Sequence, residues 1–309
     1  MRYTLRQLAY FVATGEASSI LKASENIHVS QPSISSAISH LEQTFGVQLF
    51  VRHHAQGMTL TTAGRELFRE ARALLAQAER LEGYAGELAG KVFGSIEVGC
   101  FNPLAPIITP ELCHEFMRLH PDTDIRVREA HQAELLQLLR QGTIDIALTY
   151  DLQLQGDIQF LPLAGLPPYV LLGADHPLAA RKSLDLKDLE REPMILLDLP
   201  LSSEYFMSLF SGQGLKPMIR ARTHLTEVQR ALVACGRGYS LANVRPLNRH
   251  ALDGKSLRYI RLEGDHPVLT LGIATLATTQ TNPVRKAFIN HCRSCVRDHS
   301  IPGMTPGFD

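Results

Sequence analysis

The sequence predicts an α+β multidomain chain, in which an N-terminal winged helix-turn-helix is joined by a long linker helix to a larger C-terminal α/β domain. Three observations predict it: three short helical periodicities and a hairpin within residues 1–61, a heptad run of leucine and alanine from Leu67 to Leu88, and alternating strand and helix patterns after Gly94. At 309 residues the chain is long enough for two or three cores. Its 45% hydrophobic and 20% charged residues are ordinary for a globular protein and exclude disordered and collagen-like classes. The formal net charge is zero, so any reading of a polyanionic partner must come from local pattern.

Leu5, Leu8, Phe11 and Val12 recur at helical spacing and Gly15 closes the run, which predicts a first helix from Leu5 to Thr14. A second runs from Ser18 to Asn26. The third starts at Ser30 as N-cap, holds Gln31 and Pro32 in its first turn, and stops at Gly46. Ile34, Ala37, Ile38, Leu41 and Phe45 form its apolar stripe. Opposite lie Pro32, Ser36, Ser39 and Gln43, flanked by Ser33, Ser35 and His40. A solvated helix would carry lysine and glutamate there. A small polar face instead suits a major groove, where hydroxyls and amides read base edges and the helix N-terminus points N–H groups at phosphate, so double-stranded DNA is the expected partner.

Leu49 to Arg52 and Met58 to Thr61 read as two short strands around the tip His53 to Gly57, a wing. Arg52, His53 and His54 are placed to meet the DNA backbone or minor groove; a solvated histidine loop is the alternative. From residue 62 to 90 a linker helix carries Leu67, Ala71, Leu74, Ala78, Leu81, Ala85 and Leu88, spaced by four and three. Leu67, Leu74, Leu81 and Leu88 are thus the candidate dimerisation seam, with docking on the helix's own domain as the other reading. Gly83, Gly86 and Gly90 loosen its end and set a boundary at 90–94.

The remainder, 94–309, alternates strands (Ile96–Cys100, Asp124–Glu129, Ile144–Tyr150) with helices near Leu104–Leu119 and Ala133–Arg140. A second series follows: strands at Tyr169–Gly173, Met194–Asp198, Met218–Arg222 and Tyr239–Ala242, helices at Ser203–Phe210 and Thr226–Cys235, then Leu269–Ala274 and a last helix near Pro283–Arg297.

Leu5-Arg6-Gln7-Leu8, Val29-Ser30-Gln31-Pro32-Ser33, Leu41-Glu42, Phe45-Gly46-Val47-Gln48-Leu49-Phe50-Val51-Arg52 and Leu60-Thr61-Thr62-Ala63-Gly64 resemble the LysR-type transcriptional regulators. Ala105-Pro106, Leu138 to Leu148, His176-Pro177-Leu178-Ala179 and Val233 to Gly238 carry the resemblance through the rest of the chain. It implies that Gln31, Pro32, Ser33, Ser35 and Ser36 face bases and that Arg52 sits on the backbone. It also implies a C-terminal two-lobed, periplasmic-binding-protein-like effector domain, with lobe I at 94–163 plus 268–309, lobe II at 164–267, and a ligand cleft between them. A dimer or tetramer on a palindromic operator, a small-molecule effector and contact with RNA polymerase are its further implications. Serine at 36 departs from the arginine frequent in that family, Pro103 stands where a hydroxyl is common, and Asn243 where proline is common.

Ligands of open α/β sheets lie at the carboxyl ends of strands, facing helix N-termini. That selects Phe101, Asn102 and Pro103 after the first strand, His131 and Gln132 after the second, and Leu199, Ser202 and Ser203 before a helix of the other lobe. None is basic, so neutral, aromatic and small anionic effectors all stay open.

No dinucleotide fingerprint, paired-histidine zinc motif or nucleophile elbow occurs, and Gly238-Tyr239-Ser240-Leu241-Ala242 lacks the closing glycine of the last. A non-enzymatic regulator without cofactor is expected; an enzyme or a solute-binding protein on the same fold is the alternative. Cys292 and Cys295, with His291 and His299, have metal-like spacing but lack a second cysteine pair, and Cys100, Cys113 and Cys235 read as core. The apolar patch Ala9 to Ala13 is too short for a signal peptide or membrane span, which places the protein in the cytoplasm, with no membrane partner.

Overall fold

The computed structural model describes residues 2–53, 57–88, 91–278, 282–297 and 300–305, without the side chains of 53, 79, 80 and 82–88. The chain divides into two compact units, Met1–Gly90 and Lys91–Asp309.

The first unit consists of α1 (Leu5–Ala17), α2 (Ile20–Ile27), α3 (Gln31–Phe45), the hairpin strands β1 (Phe50–His53) and β2 (Gly57–Leu60), and α4 (Thr62–Leu88). Thr4 and Gln7 close a capping box on α1: the Thr4 hydroxyl accepts from Gln7 N at 3.2 Å, and Gln7 Oε1 accepts from Thr4 N at 2.9 Å. The helix does not end at Gly15 as the sequence suggested. It continues to Ala17, because a Cβ at Gly15 would stand 2.6 Å from the Phe68 ring of α4, so the glycine serves a close helix approach rather than a stop. Phe11, Ile34, Leu41 and Leu49 have no exposed surface, and Phe68 and Leu67 of α4 pack against the same core. Each such side chain contributes about 1.5–3 kcal/mol by leaving water.

The hairpin is tied to this core through polar contacts. Glu42 Oε1 accepts from Leu49 N at 2.8 Å, fixing the end of α3 to the start of β1. Thr61 N donates to Leu49 O at 3.0 Å, and a Cβ on Gly64 would lie 2.1 Å from that same carbonyl oxygen. The glycine of the Leu60–Gly64 motif therefore lets α4 begin against the wing.

The second unit carries a five-stranded sheet of order β4-β3-β5-β13-β6, formed by β3 (Gly94–Phe101), β4 (Thr123–Ala130), β5 (Ile146–Tyr150), β6 (Ile158–Leu166) and β13 (Leu269–Leu276). Strands β3, β4 and β5 are parallel; β13 runs antiparallel to β5 and β6. Helices α5 (Ala105–Leu119), α6 (Gln132–Arg140) and α10 (Pro283–Cys295) belong to this lobe. The other lobe holds β7 (Tyr169–Gly173), β8 (Ser183–Leu184), β11 (Ser240–Ala242) and β12 (Leu257–Leu262) in the order β11-β7-β12-β8, with β9 (Pro193–Leu197) parallel to β10 (Met218–Thr223). Helices α7 (Leu186–Leu189), α8 (Ser202–Ser211) and α9 (Thr226–Ala234) complete it.

Strands β6 and β12 escaped the periodicity reading. Their burial alternates irregularly, and β6 contains Pro162 at a register shift opposite Leu271 and Gly272, where the strand signal is weakest. Because Leu166 still pairs with Leu269, the chain changes lobe at 167–168 and returns over 263–268, close to the crossings near 163 and 267 read from the sequence.

Candidate nucleic-acid interface and effector cavity

The third helix of the first unit buries Ile34, Ala37, Ile38 and Leu41 and leaves Gln31, Pro32, Ser33, Ser36 and Gln43 exposed, with Ser35 and Ser39 half-buried. Gly46 ends it in the left-handed region at φ 70°, and its N–H donates to Glu42 O. Ser30 stands at the N-cap, yet its hydroxyl lies 2.8 Å from that of Ser33 and makes no cap bond to the backbone. Pro32 carries no N–H, and Ser33 N and Ile34 N donate to Ser30 O at 3.0 and 3.2 Å, so the first turn of α3 presents mainly side-chain hydroxyls and the Gln31 amide. Ile20, Ser24, Ser30, Gln31, Pro32 and Ser35 frame an open concavity between α2 and α3. His40 Nδ1 lies 3.2 Å from Gln7 Nε2, which ties the far end of this face to α1. In the wing Arg52 is exposed on β1; His53 pairs with Gly57, and His54 lies outside the described residues.

Of the seam candidates, Leu67 packs on the core of its own domain, as do Phe68, Ala71 and Leu75. Leu74 and Leu81 stay 37% and 73% exposed, whereas the side chain of Leu88 lies outside the described residues. Docking on its own domain thus accounts for the Leu67 end of this helix, and the stripe is exposed at Leu74 and Leu81.

The second unit encloses a largely apolar cavity at the strand ends. Phe101 ends β3 and Pro103 follows it, Tyr150 ends β5, Tyr169 and Leu171 lie on β7, Ser202 and Phe206 on α8, and Thr226, Gln229 and Arg230 on α9. The rings of Phe101 and Tyr150 meet at 5.1 Å, and burial drives the Tyr150 phenol far above its ordinary pKa, so it stays neutral. Asn243 Nδ2 donates to Leu166 O at 2.7 Å and Tyr205 Oη to Pro267 O at 2.6 Å, so lobe II side chains grip both connections between the lobes.

Three of the eight effector candidates line this cavity: Phe101, Pro103 and Ser202. The other five lie off its lining. Asn102 is exposed and its N–H donates to Ala130 O at 3.0 Å; His131 caps α6, its Nδ1 accepting from Glu134 N at 3.3 Å. Gln132 is buried and donates to Tyr150 O and Leu152 O at 3.1 and 2.6 Å, which holds the end of β5. Leu199 is core at 3% exposure, and Ser203 N donates to Leu199 O at 2.9 Å. The sequence reading passed over Tyr150, Thr226, Gln229 and Arg230. A signal was present: Gln229 and Arg230 are buried together with Val233, so polar residues interrupt the inward stripe of α9.

Cys100 and Cys113 are core as expected, but Cys235 is exposed, because α9 stops at Ala234 and the thiol follows as its C-cap. Among the described residues no cluster of three or more His, Cys, Asp or Glu side chains could hold a metal ion, and no helix is long and apolar enough to cross a membrane.

Comparison with known proteins follows this division. The model described as "Bacterial regulatory helix-turn-helix protein, lysR family" matches residues 5–65, and "LysR substrate binding domain" matches residues 89–296. The chain is 38% identical to HinK, a LysR family transcriptional regulator from Pseudomonas aeruginosa, covering 94% of this chain and 98% of that one with a TM-score of 0.63. It is 27% identical to the HTH-type transcriptional regulator CfxR of Cupriavidus necator across 98% of this chain and 96% of that protein. A crystal structure of full-length CbnR with its target DNA shares 23% identity, covers 94% of this chain and 99% of that one, and has a TM-score of 0.63, a likeness of fold.

Proposed function

The chain belongs to the LysR family of transcriptional regulators, with a DNA-binding helix-turn-helix and a substrate-binding domain, and we propose specific residues for each task. Gln31, Pro32, Ser33, Ser35 and Ser36 enter the major groove, while Arg52 and His53 of the wing meet the sugar–phosphate backbone. The observation that carries this reading is the N-terminal turn of α3, whose Gln31, Pro32 and Ser33 are exposed, opposite a face that buries Ile34, Ala37, Ile38 and Leu41. Leu74 and Leu81, continued by Leu88, join two copies, and two such pairs form a tetramer, with RNA polymerase as a further partner in the cytoplasm. An effector occupies the cavity between the lobes and shifts the population of lobe arrangements, which alters how paired recognition helices are spaced. The relatives are named as transcriptional regulators rather than enzymes, in keeping with a sensing cavity.

The test is selection of bound sequences from random duplex DNA with the full chain at several salt concentrations. An interrupted palindrome, with half-sites about one turn or roughly 34–36 Å apart, is expected. Absence of any enriched sequence at low salt, from folded oligomeric protein, refutes it.

A further inference from the structure

Arg230 is 9% exposed and lines the cavity, yet no carboxylate among the described residues lies within salt-bridge distance of it. Its guanidinium donates to Tyr259 Oη at 3.2 Å, to Asn248 O at 2.7 Å and to His250 O at 3.1 Å, all neutral acceptors. A buried cation is ordinarily paired, because its desolvation is only partly offset by neutral dipoles. Further positive charge lies nearby: Arg249 sits 5.6 Å from the Tyr259 ring centroid, and Arg245, 7% exposed, is held below the ordinary guanidinium pKa by burial and acts electrostatically on Tyr169 and Tyr259. At the N-terminus of α8, the buried Ser202 Oγ has no hydrogen-bond partner and also lines the cavity. The cavity volume is about 40 Å³. One water needs roughly 10–15 Å³, so the space suits one ring with short substituents rather than a nucleotide or sugar phosphate.

Building on the effector-cavity reading above, we propose that the cavity selects a small, largely apolar organic monoanion. Arg230 supplies the counter-charge, Ser202 a hydrogen bond, and Phe101 and Tyr150 the surface for an aromatic or branched body. The carbonyls of Asn248 and His250 hold the guanidinium in place before the anion arrives, so little ordering is left to binding. A neutral analogue leaves the charge uncompensated, and a cationic one meets repulsion.

The test uses the full chain and three probes of similar shape, benzoate, benzamide and benzylamine, followed by calorimetry. Benzoate is expected to bind at least about tenfold more tightly than benzamide, and benzylamine not at all. Arg230→Gln is expected to weaken benzoate by roughly 10- to 100-fold and leave benzamide unchanged, whereas Arg230→Lys keeps part of the preference. Ser202→Ala, which removes no buried charge, is expected to weaken benzoate by roughly two- to tenfold, and with the wild-type ratio it decides the matter if Arg230→Gln does not fold. Benzamide binding as well as benzoate, or benzoate not binding up to its solubility, overturns the proposal. The broader reading fails separately: benzamide bound in the cavity and altering operator binding keeps an effector cavity without anion selection, whereas benzoate seen in a co-crystal outside the cavity removes both.

Discussion

Cys235 and Cys100 show how much a side chain's chemistry depends on its last few ångströms of surroundings. Cys235 caps α9 in the open, with Lys255 Nζ 2.9 Å from its sulfur. Cys100 is fully buried, and desolvation first, then the neighbouring Cys113, drives its thiol well above the ordinary pKa; burial raises Cys113 to about 11. Thiolate is the reactive form, so burial slows Cys100 and Cys113 twice, by blocking access and by disfavouring the thiolate. Brief treatment of the native chain with N-ethylmaleimide is expected to label Cys235 first and Cys295 next, leaving Cys100, Cys113 and Cys292 until the chain unfolds. Peptide mass spectrometry reads the order, and Cys100 reacting as fast as Cys235 contradicts the burial. Its apolar neighbours Val233 and Ala234 made Cys235 resemble core in the sequence. Side-chain type gives no warning that a helix ends one residue earlier; the turn at Gly236, with φ 74°, does so only once the backbone is seen.

At the scale of elements, α4 was legible as a helix with a heptad stripe, and its packing changes along its length. Leu67, Phe68 and Ala71 complete the core of the N-terminal unit, and Leu74 and Leu81 leave that core exposed. Paired substitutions separate the two. Leu67→Glu places a charge against the core and is expected to cost about 2–5 kcal/mol, lowering the melting temperature of the N-terminal unit. Leu74→Glu touches little within one chain and is expected to leave that melting temperature nearly unchanged while shifting the oligomer toward monomer in sedimentation equilibrium. An unchanged oligomer with Leu74→Glu assigns self-association elsewhere. Strand and helix order in the C-terminal unit was likewise legible wherever period and capping agreed, as at α6 and α10, capped by His131 and Asn282. The cavity was less so. Strand ends pointed to Phe101, Pro103 and Ser202, whereas Arg230 lies one turn inside α9, where only the fold reveals that an arginine faces inward.

For the molecule as a whole, one recognition unit carries little charge with which to hold DNA. Residues 1–65 hold Arg2, Arg6, Lys22, Arg52 and Arg65 against Glu16, Glu25 and Glu42. Arg65 is further occupied by Leu60 O at 2.9 Å and Thr62 Oγ1 at 3.2 Å, which leaves about four exposed cations for phosphate. Counterion release then predicts a salt slope of no more than about −4 for a single half-site, with weak binding at physiological salt. Two units held in one oligomer raise the effective concentration of the second, so a duplex with two correctly spaced half-sites is expected to bind about 10²–10⁴ times more tightly, with close to twice the slope. Fluorescence anisotropy of the full chain on one-site and two-site duplexes, over a range of salt, measures both quantities together. Equal affinity for the two duplexes would mean that each unit binds alone, and α4 would then contribute nothing to operator choice. Ser36→Arg offers an independent check on the same balance. One added cation on the exposed face of α3 is expected to steepen the one-site slope by about 1 and to narrow the gap between the duplexes, because the monovalent affinity that multivalency supplements has risen.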